Sequence, residues 1–174
     1  ARYAISNGLI DMVGMTRGHL ADPHIVTKIK EKREDDIRPC VGATYCLDRI
    51  YQGEEALCIH NASTGRELKF PHIINSSKIK KKIVIVGAGP GGLEGARIAG
   101  ERGHKVVVFE AASNPGGQVR LCAKSDRRKD MMGIIDWRMQ QCTKKDVQFN
   151  FNILAEAKDV LSENPDTVII ATGG

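Results

Sequence analysis

Two groups of residues have the types and spacing for chemistry. One is glycine-rich: Gly87-Ala88-Gly89-Pro90-Gly91-Gly92 fits G-x-G-x-x-G and directly follows the apolar run Ile83-Val84-Ile85-Val86. The spacing has a mechanical meaning. Gly87 permits a tight turn out of a strand, Gly89 lets a pyrophosphate approach the backbone, and Gly92 lets the next helix pack on the sheet. With Ala88 and Pro90 these residues form a cradle at a helix N-terminus, whose unpaired N–H groups attract phosphate. A second apolar run, 106–109, ends on Glu110, eighteen residues beyond Gly92. A carboxylate that binds ribose hydroxyls is expected there. A glutamate without an arginine partner favours an unphosphorylated ribose, as in FAD, NAD or ADP. Asn114-Pro115-Gly116-Gly117-Gln118 adds a second glycine turn near the same strand ends, equally readable as structural or binding.

The second group is Cys40, Cys46 and Cys58, spaced C-x5-C-x11-C. Disulfides are not expected without a secretory signal. Zinc favours two close ligand pairs and iron–sulfur clusters favour four cysteines. On the residues alone, three unevenly spaced thiols read as buried apolar side chains. Cys122 and Cys142 read as structural.

The elements that position these residues follow from periodicity. Strand 83–86, helix 91–102 and strand 106–109 form a βαβ unit; a helix follows at 129–141, Phe149 and Phe151 alternate as in a strand, and 167–171 reads as a buried strand. Strands alternating with helices give an α/β class. Up to about residue 35 the order is helix, strand, loop, helix. Residues 12–15 suit a buried strand and 16–18 a loop. Asp22 is expected as N-cap with Pro23 at the first helical position, and Ile25 and Ile29 share one face. Residues 36–66 are loop-rich, and 67–81 read as a polar linker containing Pro71, Asn75, Ser76 and Ser77.

Composition narrows the function classes. The chain has 174 residues, 41% hydrophobic and 27% charged, with a net charge of +5. Much of that excess sits in Lys78, Lys80, Lys81 and Lys82, a solvated edge before a strand. Aromatic residues at 5% are too few for a base-stacking platform, so nucleic acid is not an expected partner. No apolar run reaches the roughly 18–20 residues of a membrane span, and no signal peptide is visible. A cytoplasmic protein is expected. The start at Ala1 and the stop at Gly174 read as those of an internal piece of a longer polypeptide.

Taken together, the segments resemble the old-yellow-enzyme-like iron–sulfur flavoenzymes of the NADH:flavin oxidoreductase family. Members of that type include trimethylamine dehydrogenase, histamine dehydrogenase and 2,4-dienoyl-CoA reductase. The resemblance covers nearly the whole chain and implies four parts: the C-terminal end of an FMN-binding TIM barrel (1–35), an iron–sulfur segment (36–66), a linker (67–81) and an incomplete FAD/NAD(P)-binding, Rossmann-like domain (82–174). Asp11-Met12-Val13-Gly14-Met15-Thr16-Arg17 and Ala21-Asp22-Pro23 match the last barrel strand and helix, which implies that Arg17 and the backbone at Thr16 hold the FMN phosphate. Arg38-Pro39-Cys40-Val41-Gly42 matches the start of the cluster segment, so Cys40, Cys46 and Cys58 take the first, third and fourth positions of a 4Fe-4S ligand set. Ala43 stands at the second. An intact cluster then needs another ligand, an open iron site or a three-iron form, with Tyr45 and His60 nearby. The glycine loop, Glu110, Gly117, Gln118 and Ala171-Thr172-Gly173 match the nucleotide domain, which in such proteins holds FAD and receives electrons from NAD(P)H, or holds ADP. The resemblance implies oxidation of an N-methylated amine or amino acid, or reduction of an enoate or enoyl-CoA, with an electron-transfer partner possible. Substrate-contacting residues would lie outside this chain. The competing reading is a redox-inactive dinucleotide-binding scaffold or regulatory module, to which Ala43 lends support.

Overall fold

In the computed structural model, which describes residues 2–173, the elements along the chain are α1 (Arg2–Ser6), α2 (Thr16–Ala21), α3 (Ile25–Lys30), α4 (Tyr45–Tyr51), β1 (Lys82–Val86), α5 (Pro90–Glu101), β2 (Lys105–Phe109), α6 (Gln118–Cys122), α7 (Gly133–Thr143), β3 (Gln148–Asn150), α8 (Ala157–Ser162) and β4 (Thr167–Ile170). Short 3-10 turns occupy Glu34–Asp36 and Asp126–Met132.

The two β-branched runs become the central strands of one parallel sheet of order β3-β2-β1-β4. Val86 stands opposite Phe109 on one side and Ile170 on the other, so three strand ends finish level. The chain moves from β1 outward to β2 and β3, then crosses back to place β4 on the far side of β1. Such a reversal opens a crevice outside the C-terminal strand ends.

Successive strand residues face opposite sides of the sheet. Ile83, Ile85, Val106 and Val108 pack with Leu93 and Ala96 of α5 and Ile135 and Cys142 of α7. Val84, Val107 and Phe109 meet Val160 of α8 on the other side. Cover on both faces explains why β1 and β2 are apolar throughout rather than alternating. Each fully buried aliphatic side chain here contributes about 1.5–3 kcal/mol.

The segment before β1 is held together by polar contacts of its own and joined to this unit through Trp137. Thr64 Oγ1 and Asn61 Nδ2 donate to the Leu20 carbonyl at 2.6 and 3.2 Å. Asp22, buried at the end of α2, accepts from Lys28 Nζ at 2.5 Å and from the Arg38 N–H at 2.8 Å. Burial alone would raise its pKa, but the Lys28 hydrogen bond and charge and the Arg38 and His24 N–H groups together hold it below the usual carboxylate value. Trp137 Nε1 donates to the Asp36 carbonyl at 3.0 Å.

Several sequence expectations are corrected. Residues 12–15 form no strand, and Met12 is 84% exposed: a strand needs a hydrogen-bonding neighbour, and no described strand lies beside this run. Residues 16–18 are not a loop but the first turn of α2. Asp22 ends α2 instead of capping α3, although its carboxylate still accepts the His24 N–H at 3.0 Å. Ile25 and Ile29 do fall four residues apart on one face of α3, but only Ile25 is buried and Ile29 is 45% exposed. Residues 167–170 form the expected strand as β4, but it is the edge of the sheet among the described residues and is not buried, with Ile170 69% exposed. The helix placed at 129–141 starts as a 3-10 turn and becomes α-helical only at Gly133.

Candidate functional site

The crevice at the strand ends is a cavity of about 680 Å³, within the range of small-ligand sites. Gly87, Gly89, Pro90, Glu110, Gly117 and Gln118 all line it. Ala88 is fully buried beneath the loop and Gly92 sits inside the helix–sheet contact. Two glycines are enforced by packing. Gly87 has φ +104°, and a Cβ there would lie 2.4 Å from the Ala171 carbonyl oxygen; a Cβ on Gly92 would lie 1.9 Å from the Gly87 carbonyl oxygen. Gly89 differs: it has extended backbone, and a Cβ would meet nothing within 4 Å. Space is kept open there at the N-cap of α5, where phosphate is favoured.

Glu110 reaches back to this loop. Its Oε2 accepts the Ala88 N–H at 2.6 Å and its Oε1 the Ala112 N–H at 2.8 Å. The second glycine turn joins the same wall, because the Gly116 N–H donates to the Ala88 carbonyl at 2.8 Å. Residues 153–155 also line the crevice, a contribution with no motif in the sequence.

Behind α5 lies a buried charge cluster that sequence patterns did not reveal. Glu94 accepts from Arg97 Nη2 at 2.6 Å, and Arg138 Nε stands 2.8 Å from its other oxygen as an ion pair without hydrogen-bond alignment. Burial would raise the Glu94 pKa, but the Arg97 hydrogen bond and the charges of Arg138, Arg97 and Arg38 bring it down to about 2. Burial, with repulsion from Arg97, lowers Arg38 to about 10, and its guanidinium lies 4.3 Å from the Trp137 ring centroid. Arg138 also donates to the His60 carbonyl at 3.1 Å. The cluster therefore links the nucleotide unit to the cysteine segment.

The three cysteines come together around one small cavity of about 30 Å³, together with Arg17, Ala43 and His60. All three are free thiols and none is buried, which overturns their reading as core side chains. Cys142 is the buried one: its thiol is pushed up to about 12 by burial. Among the described residues, no three His, Cys, Asp or Glu side chains close on a single metal-ion position. A cluster distributes its ligands over separate irons, so three thiols around one cavity suit it better than a mononuclear centre. Ala43 offers no donor. His60 is held neutral, its pKa lowered to about 3 by burial and by the Arg138 charge. Thr16 opens α2 with no side-chain cap on its first turn, leaving N–H donors free beside Arg17. No helix of the described residues is long and apolar enough to cross a membrane.

The NAD(P)-binding Rossmann-like domain family matches residues 85–144. The chain is 67% identical over 174 residues to a probable N-methylproline demethylase of Rhizobium meliloti (strain 1021), covering all of this chain and 26% of that protein. It is 49% identical over 174 residues to a multifunctional alkene reductase/demethylase of Caballeronia cordobensis, covering 100% of this chain and 25% of that one. The chain thus spans about a quarter of the length of the curated relatives it matches. A solved 2-naphthoyl-CoA reductase superposes with TM-score 0.93 at 35% identity, over 99% of this chain and 26% of the reductase. The similarity runs unbroken through the α2 region, the cysteine segment and the nucleotide crevice, so that over its whole length the chain is similar to one part of these flavin-type oxidoreductases.

Proposed function

We propose that this chain is the part of a multicofactor flavin oxidoreductase that joins an FMN-binding barrel to an iron–sulfur cluster and a second nucleotide site, and that the enzyme oxidatively demethylates an N-methylated amine or amino acid. The observation that carries this reading is 67% identity, sustained over the whole chain, to a probable N-methylproline demethylase. Residues 1–35 are the end of the barrel; the exposed apolar side chains Tyr3, Leu9 and Met12 suit a segment that packs on further polypeptide. Residues 36–66 are the cluster segment, 67–81 the linker and 82–174 the nucleotide domain.

FMN, when bound, supplies a two-electron acceptor, and a 4Fe-4S cluster supplies single-electron transfer. The chain's own residues bind and orient. Arg17 and the first-turn N–H groups of α2 hold the FMN phosphate, Cys40, Cys46 and Cys58 hold the cluster, and the Gly87–Gly92 loop takes the pyrophosphate of FAD or ADP. Glu110 exchanges its loop hydrogen bonds for ribose hydroxyls and repels a 2′-phosphate. NAD(P)H and a separate electron-transfer partner are the candidate sources or sinks of electrons.

The test is made on the full-length protein, purified anaerobically, with iron, sulfide and flavins quantified. N-methylated amino acids are then offered with an artificial electron acceptor while formaldehyde release is followed. Negligible iron together with no FMN would sink the multicofactor reading in favour of a redox-inactive nucleotide-binding scaffold. A second reading, reduction of an enoate or enoyl-CoA by NAD(P)H, is favoured by the similarity to the alkene reductase/demethylase and to the 2-naphthoyl-CoA reductase. Enoate-dependent NAD(P)H oxidation without formaldehyde release would select it.

A further inference from the structure

His60 is 1% exposed and lines the same cavity as Cys40, Ala43, Cys46 and Cys58. Its two ring nitrogens are used differently. Nδ1 lies 2.9 Å from the Pro39 carbonyl oxygen, which can only accept, so Nδ1 carries the ring proton. Nε2 is then the lone-pair nitrogen, and it is buried with no hydrogen-bond partner. A buried acceptor left unpaired costs about 1–3 kcal/mol, and native interiors keep few such groups without a water or ion to satisfy them. The ring packs edge to face on Trp137 at 5.4 Å, but that contact leaves Nε2 unsatisfied, because the indole N–H is already given to Asp36. Metal-bound imidazoles show this same division: one N–H fixed on a backbone carbonyl, the other nitrogen free to ligate.

The donor set points the same way. Iron–sulfur clusters take four protein ligands, and histidine replaces cysteine in some of them. This cavity offers three thiols, and the second ligand position is an alanine. Tyr45 is 38% exposed, with its ring 5.7 Å from the Arg49 guanidinium. No carboxylate lines the cavity. The His60 backbone N–H lies 3.4 Å from Cys58 Sγ and donates to it, so the histidine is already tied to one sulfur ligand. We propose that His60 Nε2 is the fourth ligand, giving a Cys3His cluster in which the imidazole replaces the thiolate absent at Ala43. This rests on the cluster reading above. A neutral ligand in place of a thiolate removes one negative charge, which raises the cluster's reduction potential and makes it a readier electron acceptor.

The experiment uses the full-length protein purified anaerobically, with iron and sulfide counted and the dithionite-reduced cluster examined by pulsed EPR for nitrogen hyperfine coupling. The expected result is about four irons per chain and the coupling of a directly bound nitrogen. His60→Ala drops to about three irons and loses that coupling. The double variant Ala43→Cys/His60→Ala returns to about four irons without it, because a cysteine now fills the second position. Four irons with no nitrogen coupling in the unaltered protein, or full iron in His60→Ala, would place the fourth ligand elsewhere. Three irons in the unaltered protein would leave that corner open and also overturn the assignment. Less than about one iron per chain would instead fail the cluster reading itself.

Discussion

Glu94→Gln keeps the shape of the side chain at the centre of the buried arginine cluster and removes its charge. The carboxylate contacts Arg97 and Arg138, with Arg38 close enough to act on it through charge. Its carboxyl is held at about 2, against 4.5 for an ordinary glutamate. Because the folded value is depressed, the stabilisation is fully present above pH 4.5, declines as the pH falls and is lost below about 2. At about 1.36 kcal/mol for each pH unit, the difference corresponds to about 3 kcal/mol. Breaking a buried ion pair costs about 3–5 kcal/mol in general, because the partner charges stay buried. The two routes agree. Urea denaturation of this chain, followed by fluorescence of Trp137, its only tryptophan, reads the same junction, since that ring lies against Arg38 and Arg97. Glu94→Gln is expected to lose about 3 kcal/mol at pH 7 and to show a flatter pH dependence between 4.5 and 2. A loss under about 1 kcal/mol, or an unchanged pH slope, would refute the account of this cluster.

Three further outcomes are expected. Gly89→Val should fold with little change in melting temperature yet lose ADP binding in calorimetry, whereas Gly92→Ala should lose both, because its Cβ meets the Gly87 carbonyl and that of Gly89 meets only the crevice. Equal melting temperatures for the two variants would contradict this distinction. Glu110→Ala should weaken ADP affinity about 10- to 100-fold, the value of hydrogen bonds to a charged group, and should weaken 2′-phospho-ADP less; equal losses for the two nucleotides would remove Glu110 from ribose selection. In cluster-free protein near pH 8, iodoacetamide should label Cys40 and spare Cys142, whose burial holds it as a thiol up to about pH 12; rapid labelling of Cys142 in folded protein would show that its core site opens.

The nucleotide crevice was legible in the sequence because its causes are local. Turn, helix start and strand end lie within thirty residues, and the backbone chemistry of Gly87 and Gly92 admits little else. The sheet order, the contribution of residues 153–155 and the meeting of Gly117 with Gly89 depend on crossovers, which no local pattern encodes. Periodicity placed the strand at 167–170 but not its exposure, and placed one at 12–15 where no described strand pairs, because an apolar run states only that a side chain favours burial and not which neighbour supplies it. The Glu94 cluster was invisible for a related reason: Arg38, Arg97 and Arg138 are far apart in sequence, and an isolated arginine reads as surface. For the cysteines, spacing alone suggested core side chains, and only the family resemblance implied three donors with a gap at Ala43. Only the folded chain brought His60, which carries an unpaired ring nitrogen, to the lining of that cavity, because burial and an unsatisfied lone pair arise from packing and not from spacing.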